Sequence, residues 1–229
     1  MFPLLFYAPP LLGFQGIDVK SITGLTMMQG FFASLSAMFY YHENRLVNKP
    51  LVLTLGASLF ASSLAGALIS KLVPDKPILF IFAMLALVAA AMMLIPRSYD
   101  RDELTEENVV FNKPAAILIG IFIGFLIGLV GQGGAFITIP ILLYVLKIPL
   151  RVALGSTLAI GLFSATAGLI GKIVTGQVPF SMAWPLVIGA FFSAKLGGVV
   201  GKKTKTEVLR WILALIISAT AIKVWLDIF

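Results

Sequence analysis

Long runs of residues without a charged side chain constrain this chain more than any other feature. The longest run covers residues 114–146, and the others cover residues 21–41, 51–70, 77–96, 152–171, 178–194 and 211–222. A transmembrane helix needs about 20 predominantly apolar residues to cross the roughly 30 Å hydrocarbon core of a bilayer. Most of these runs approach or exceed that length, so the sequence predicts an all-α, polytopic bundle of transmembrane helices.

The composition agrees with a lipid-facing exterior. Hydrophobic residues make up 59% of the chain and charged residues only 12%, whereas a soluble domain carries about 25% charged residues. The net charge of +7 comes from Lys and Arg that lie almost entirely between the uncharged runs, which is where a membrane protein carries them. The expected partner is therefore the lipid bilayer and not a nucleic acid.

Metal and catalytic chemistry would find few suitable side chains in this sequence. The chain has no Cys and a single His, His42, which excludes disulfides, thiol nucleophiles and His-cluster metal sites. No nucleophile, base and orienting group occur at a spacing usable by an enzyme. The sequence therefore predicts a protein without a metal, a cofactor or a catalytic residue.

A shift of 131 residues superposes the two halves of the chain without a gap. It places Gly24-Leu25-Thr26 on Gly155-Ser156-Thr157, and Lys71 on Lys202. The register stays constant over most of both halves, which indicates an internal repeat. Many secondary transporters are built from such repeats, with the substrate site where the halves meet.

The repeat divides the chain into three parts. We expect a first transmembrane repeat in residues 1–96, a solvent-exposed acidic linker in residues 97–113 and a second transmembrane repeat in residues 114–229. The linker holds half of the acidic residues of the chain: Asp100, Asp102, Glu103, Glu106 and Glu107. The first repeat has no counterpart of residues 114–131, so we expect it to lack its first helix.

The uncharged run 114–146 is too long for one straight membrane helix. It would extend about 50 Å at 1.5 Å per residue, so we expect it to break at Gly131-Gln132-Gly133-Gly134, halfway through the bilayer. A helix that begins near Ala135 would then present free backbone amides to an anion. Alternatively, these glycines only let helices pack closely. Gln132 and the following Pro140 favour a break with a function.

Polar side chains on otherwise apolar helices complete the candidate site. Ser156 and Thr157 in the second half, and Thr26 and Gln29 in the first, can donate to an anion without adding charge. Each can equally bond a carbonyl of its own helix. Lys195 is the only charge clearly inside a span, where it either contacts the substrate or snorkels to the surface. No acid lies in the middle of a run, so the interior favours a small anion over a cation.

The residues that carry these patterns resemble the sulfite exporter TauE/SafE family. The resemblance rests on Gly131-x-Gly133-Gly134 followed by Pro140, on Ala153-x-Gly155-Ser156-Thr157-Leu158, and on the stretch from Thr26 to His42. It covers nearly the whole chain. It implies movement of sulfite, sulfoacetate and related sulfur-containing anions across the cytoplasmic membrane, and a membrane protein of the bacterial inner membrane.

These observations together predict a transporter that exports a small anion such as sulfite or an organosulfonate by alternating access. Two readings stay open: an uptake permease for similar anions, and a non-transporting membrane subunit that anchors a partner. The oligomeric state is also open, a homo-oligomer included. The candidate substrate-binding residues are Gly131, Gln132, Gly133, Gly134, Ser156, Thr157, Gln29, Thr26 and Lys195.

The distribution of Lys and Arg favours inverted repeats, because that arrangement gathers most of them on one side, which is then cytoplasmic. A parallel arrangement divides them almost evenly. Both arrangements place the C-terminus outside the cytoplasm, but they put Ser98 on opposite sides. We expect that a Cys introduced by Ser98→Cys into this Cys-free chain resists an impermeant thiol reagent added to intact cells. Labelling from outside would overturn the inverted arrangement.

Overall fold

A computed structural model describes residues 2–41, 47–95, 111–131, 135–204 and 206–228, and every regular element in these ranges is an α-helix. The helices are α1 (Phe2–Leu11), α2 (Val19–Tyr41), α3 (Lys49–Ile69), α4 (Asp75–Leu94), α5 (Lys113–Val130), α6 (Ala135–Tyr144), α7 (Leu150–Val174), α8 (Phe180–Lys203) and α9 (Thr206–Ile228). Helices α3, α4, α5 and most of α7 are long and apolar enough to cross a membrane. The predicted all-helical membrane architecture is therefore confirmed.

Helices α3 and α5 begin in the same way. The side chain of Asn48 accepts a hydrogen bond from the Leu51 amide at 2.9 Å, and that of Asn112 accepts one from the Ala115 amide at 3.1 Å. Such a cap satisfies one of the free amides of the first turn, and each helix also has a proline there, whose missing N–H is not needed. The two capped ends lie at the same end of the bundle, as the packing of these helices shows.

Helix α3 packs against α5 almost backbone to backbone. A Cβ added to Gly120 would overlap the side chain of Ser58, and one added to Gly128 would overlap the carbonyl of Ser63. The contacts advance along both helices together, so α3 and α5 are parallel. Small residues permit this close approach, which is a common way for membrane helices to associate.

Helix α7 lies on another side of α3 and is parallel to it. Gly56 of α3 faces the ring of Phe163, and Gly171 near the end of α7 faces Ala67 near the end of α3. Helices α5, α3 and α7 thus form a parallel trio whose C-terminal ends lie together. We call this end of the bundle the trio end.

Helix α2 runs in the opposite direction to the trio. Thr23, near its start, accepts a hydrogen bond from Lys172, near the end of α7. Gly24 lies against the backbone of Gln177, just before α8, and Ser36 donates to the carbonyl of Phe191 at 2.8 Å. Helix α2 is therefore antiparallel to α7 and parallel to α8.

The run 114–146 breaks at the glycines, as the sequence predicts, and the chain turns back there. Helix α5 ends at Val130, Gly131 adopts a left-handed φ of 77°, and α6 begins at Ala135. The Tyr144 hydroxyl then bonds the carbonyl of Ile95, after the last turn of α4. The return of the chain shows that α6 runs against α5.

The depth predicted for this break is wrong. Helix α5 is 18 residues long, or about 27 Å, which already approaches the thickness of the hydrocarbon core. Gly131 therefore lies near the trio end of the bundle and not halfway along it. The predicted depth was wrong because it was taken from the position of the glycines within the uncharged run 114–146. Helix α5 instead continues as a regular helix up to the first glycine, Gly131.

Several predicted features lie outside the described residues. They include His42, most of the linker 97–113, and Gln132, Gly133 and Gly134. The three-part division of the chain remains a prediction.

The close packing of α3 on α5 can be tested with two matched glycines. Gly128→Ala should destabilise the protein by about 1–3 kcal/mol, because the new methyl group overlaps the Ser63 carbonyl. Gly189→Ala should not, because its Cβ would meet no atom within 4 Å and alanine favours the helix. Thermal unfolding in detergent measures both, and equal melting temperatures would contradict the packing.

Candidate functional site

A buried lysine near the end of α7 is the centre of a polar cluster at the trio end. The side chain of Lys172 has no exposed surface. Its Nζ donates to Thr23 Oγ1 at 2.9 Å, Ser70 Oγ at 2.7 Å, Gln177 Oε1 at 3.1 Å and the Leu129 carbonyl at 3.3 Å. We call these five residues the Lys172 cluster. It connects α2, α3, α5 and the turn after α7.

The charge of Lys172 is tolerated because helix ends surround it. Ser70 is the C-cap of α3, Leu129 lies in the last turn of α5, and Lys172 itself lies in the last turn of α7. The last turn of a helix carries a partial negative charge and free carbonyl groups. All four acceptors of the ammonium group are neutral, so these helix ends provide the compensation that a carboxylate would otherwise give.

The hydroxyl groups of the cluster have a consistent set of hydrogen bonds. Ser70 Oγ donates to the Ala67 carbonyl at 2.6 Å, and Thr23 Oγ1 donates to the Lys20 carbonyl at 2.7 Å. Both oxygens then accept from Lys172. Gln177 Nε2 donates to Ser70 Oγ at 3.1 Å and to Thr175 Oγ1 at 2.8 Å. Each hydroxyl proton thus points away from the ammonium group, and a rotation of the hydroxyl would redirect it.

The helix break lies beside this cluster. The Gly131 carbonyl accepts a hydrogen bond from Thr26 Oγ1 at 2.6 Å. A Cβ added to Gly131 would overlap the backbone of Thr23, and the left-handed backbone would add roughly 1–2 kcal/mol for any other residue. Only glycine fits this position, and two of the predicted site residues, Gly131 and Thr26, therefore meet here.

The structure does not bring Ser156 and Thr157 to the break. Ser156 Oγ accepts from the amide of Asn48 at 3.1 Å, at the start of α3, while the Lys172 cluster lies at its end. The length of α3 separates them, about 30 Å. A single site that combines the break with Ser156 and Thr157 does not match this arrangement, because α7 spans the bundle and carries Lys172 at one end and the two hydroxyls at the other.

The remaining candidates have the following positions. Gln29 lies on α2, one turn beyond Thr26, and is partly buried. Thr157 is 2% exposed, and its Oγ1 has no hydrogen-bond partner in the described part of the chain. The backbone of Lys195 belongs to α8, and its side chain is not described. These three residues lie on three different helices, α2, α7 and α8.

Sequence reasoning missed Lys172. The residue follows an uncharged run, where a lysine normally extends to the membrane surface, so the sequence pattern predicts a surface charge. The polar residues that follow it, Thr175 and Gln177, were the one available signal. They indicate a polar environment, but the direction of the side chain depends on where α2, α3 and α5 pack.

The cluster offers anion-binding chemistry more readily than metal chemistry. Its side chains provide an ammonium group, two hydroxyls and an amide, which can all donate hydrogen bonds to an anion. Among the residues that the structure describes, no group of three or more His, Cys, Asp or Glu could hold a metal ion.

Comparisons with known proteins agree on a membrane transporter. The family model "Sulfite exporter TauE/SafE" matches residues 1–224. The chain is 24% identical over 220 residues to the probable membrane transporter protein YunE of Bacillus subtilis, with 89% of this chain and 80% of the relative covered. It is 26% identical over 209 residues to the probable membrane transporter protein MJ0441 of Methanocaldococcus jannaschii, with 87% and 76% covered. No solved structure matches the chain.

The Lys172 cluster should contribute to the stability of the bundle. We expect Lys172→Met to lower the free energy of unfolding by about 1–3 kcal/mol, because the Leu129 carbonyl and the cluster hydroxyls lose a charged donor. Lys71→Met removes the same charge from an exposed position and should leave the melting temperature unchanged. If both variants unfold at the same temperature in detergent, the cluster does not hold the helix ends together.

Proposed function

The chain belongs to the sulfite exporter TauE/SafE family, and we propose that this membrane transporter exports a small anion such as sulfite or an organosulfonate by alternating access. The observation that carries the proposal is the fully buried ammonium group of Lys172 beside the Gly131 break, with neutral hydrogen-bond partners only. An ionisable residue inside a membrane bundle commonly marks a substrate pathway.

The acids of the described helices support an anion rather than a cation. They are Asp75, Glu207 and Asp227, and each lies within two residues of a helix end. Carriers of protons or sodium ions use carboxylates in the middle of their spans. The Lys172 cluster instead offers positive charge and neutral donors.

An anion would replace protein acceptors around Lys172. The ammonium group has three N–H donors and four acceptors, of which the Leu129 carbonyl at 3.3 Å is the most distant. An incoming anion takes the place of that carbonyl, and the hydroxyls of Thr23 and Ser70 rotate to donate to it. Because Thr23 belongs to α2, this exchange loosens α2 from the trio and opens a path.

We further propose that the two halves are inverted repeats, residues 1–96 and 114–229, joined by the linker 97–113. Three pairs of helices support this, because each pair starts at positions related by the shift of 131: Val19 and Leu150, Lys49 and Phe180, Asp75 and Thr206. The antiparallel course of α2 and α7 also supports it. Two inverted halves can exchange roles when a transporter opens to one side or the other.

Positive charge sets the proposed orientation in the inner membrane. Helices α3 and α5 start at Lys49 and Lys113, at the end of the bundle opposite the Lys172 cluster. Lys147, just before α7, lies at that end too. This basic end is then cytoplasmic, and the trio end and the C-terminus lie outside the cytoplasm.

The other predicted contacts fit this scheme as two groups. Gly131, Gln132, Gly133, Gly134, Thr26 and Gln29 would serve the anion at the trio end. Ser156 and Thr157 would serve it at the cytoplasmic end, since Thr157 corresponds to Thr26 in the repeat. Lys195 lies on α8 and would contact the anion at the cytoplasmic end.

Membrane vesicles of both orientations test transport and its direction. We expect sulfite to accumulate in inside-out vesicles that contain the protein and not in vesicles without it. Accumulation only in right-side-out vesicles would indicate an uptake permease. Absence of flux in both, with folded protein, would contradict transport and favour the non-transporting subunit.

Thr26→Val and Gly133→Leu test the site in the same assay. Loss of the hydrogen bond from Thr26 to the Gly131 carbonyl, roughly 1.4 kcal/mol, should reduce flux about tenfold. Thr166→Val is the matched control, because the Thr166 hydroxyl bonds the Leu162 carbonyl of its own helix. Unchanged flux in a well-folded Gly133→Leu variant would count heavily against a site at the break.

A further inference from the structure

A second lysine lies at the trio end, beside the Lys172 cluster but outside it. Lys20 is the second residue of α2 and is partly buried. Its Nζ donates to the Lys71 carbonyl at 2.8 Å. Lys71 directly follows Ser70, whose hydroxyl accepts a hydrogen bond from Lys172 at 2.7 Å. Two ammonium groups therefore bind consecutive residues at the end of α3.

The two lysines are also connected through α2. Thr23 Oγ1 accepts a hydrogen bond from Lys172 Nζ at 2.9 Å and donates one to the backbone carbonyl of Lys20 at 2.7 Å. The two ammonium groups are close enough to repel each other. The flexible stem of a lysine can carry its charge into water, yet Lys20 turns towards the residues that hold Lys172.

No carboxylate at this end of the bundle compensates the two positive charges. The acids there are Asp18 and Asp75, which are both exposed. Asp18 accepts a hydrogen bond from the Ser21 amide at 2.9 Å and so caps the start of α2, while Asp75 lies in the first turn of α4. Among the residues that the structure describes, neither carboxylate is bonded to Lys20 or Lys172.

Capping of helix ends accounts for Lys172 better than for Lys20. Lys172 contacts the ends of α3 and α5 through three or more neutral acceptors, whereas Lys20 has one bond, to the Lys71 carbonyl. An ammonium group has three N–H donors, so Lys20 keeps donors for a further acceptor. Lys20 also lies in the first turn of α2, where the positive end of the helix dipole disfavours a cation and favours an anion.

We propose that Lys20 and Lys172 together bind a doubly charged oxyanion, with one ammonium group on each side, and that this pair selects dianions over monoanions of similar shape. A dianion neutralises both groups, whereas a monoanion leaves one positive charge without compensation in a partly buried site. The inference rests on the proposed anion site. It adds the charge class of the substrate and identifies Lys20 as the residue that determines it.

Sulfate and methanesulfonate are suitable probes, because both present sulfonyl oxygens of similar geometry and sulfate carries one more negative charge. A ligand that binds only the folded state raises the melting temperature. We expect sulfate to stabilise the full chain in detergent, at constant ionic strength, at concentrations at least roughly tenfold lower than methanesulfonate. The second ammonium group adds attraction only for the second charge.

Three variants separate the lysine pair from general effects of salt, since sulfate stabilises many proteins by exclusion from their surface. Lys20→Met should make the two anions equally effective, and Lys20→Arg should keep the preference for sulfate because it keeps the charge. Lys76→Met removes the same charge from an exposed position at the same end of the bundle. It is the matched control and should also keep the preference.

Several outcomes would overturn the proposal. They are equal stabilisation of the unaltered protein by both anions, an unchanged preference in Lys20→Met, and an equal loss in Lys20→Met and Lys76→Met. A lower melting temperature of Lys20→Met without added anion, together with an unchanged preference, would show that Lys20 only caps α3. Stabilisation by phosphatidylglycerol and not by sulfate would assign Lys20 to a lipid headgroup.

The melting assay does not require transport, so it separates this inference from the proposed function. A preference for sulfate without sulfite flux in vesicles would retain the dianion site and contradict transport. Sulfite flux that sulfate and methanesulfonate inhibit equally would retain transport and contradict the dianion site. If both proposals hold, sulfate inhibits the flux at the lower concentration, and Lys20→Met removes that difference.

Discussion

The buried charge of Lys172 is the interaction on which the arrangement of the helices depends. A lone ammonium group in an apolar interior is strongly unfavourable, so its position requires the ends of α3, α5 and α7 to lie together. That requirement fixes the trio as parallel and places α2 beside it through Thr23. The fold and the candidate site therefore rest on the same contacts, and a change at one affects the other.

Much of the fold could be predicted because it follows from local physical chemistry. Uncharged runs show which segments cross the membrane, and Asn followed by Lys and Pro marks the starts of α3 and α5. The break at Gly131 was also predictable, since the run is too long and only the glycines allow a left-handed turn. These features depend on neighbours in sequence.

The site was harder to predict because it depends on neighbours in space. Lys172 follows an apolar run and has the sequence pattern of a surface residue, yet three helices surround it. Ser156 has the sequence pattern of a ligand-binding hydroxyl, yet its oxygen accepts a hydrogen bond from the backbone N–H of Asn48. Periodicity does not reveal which helix end meets which, and so neither the depth of the break nor the separation of Thr26 from Ser156 could be derived.

The spacing of the contacts between α3 and α5 has a mechanical consequence. Gly120 and Gly124 of α5 meet Ser58 and Ser62 of α3, and Gly128 meets the backbone of Ser63. A slide of four residues, about 6 Å, would place Gly120 at Ser62 and Gly124 at Gly66, which are again small residues. The hydrogen bond from Lys172 to the Leu129 carbonyl stabilises the observed register. The lysine on α7 therefore fixes the position of α5 along its neighbouring helices.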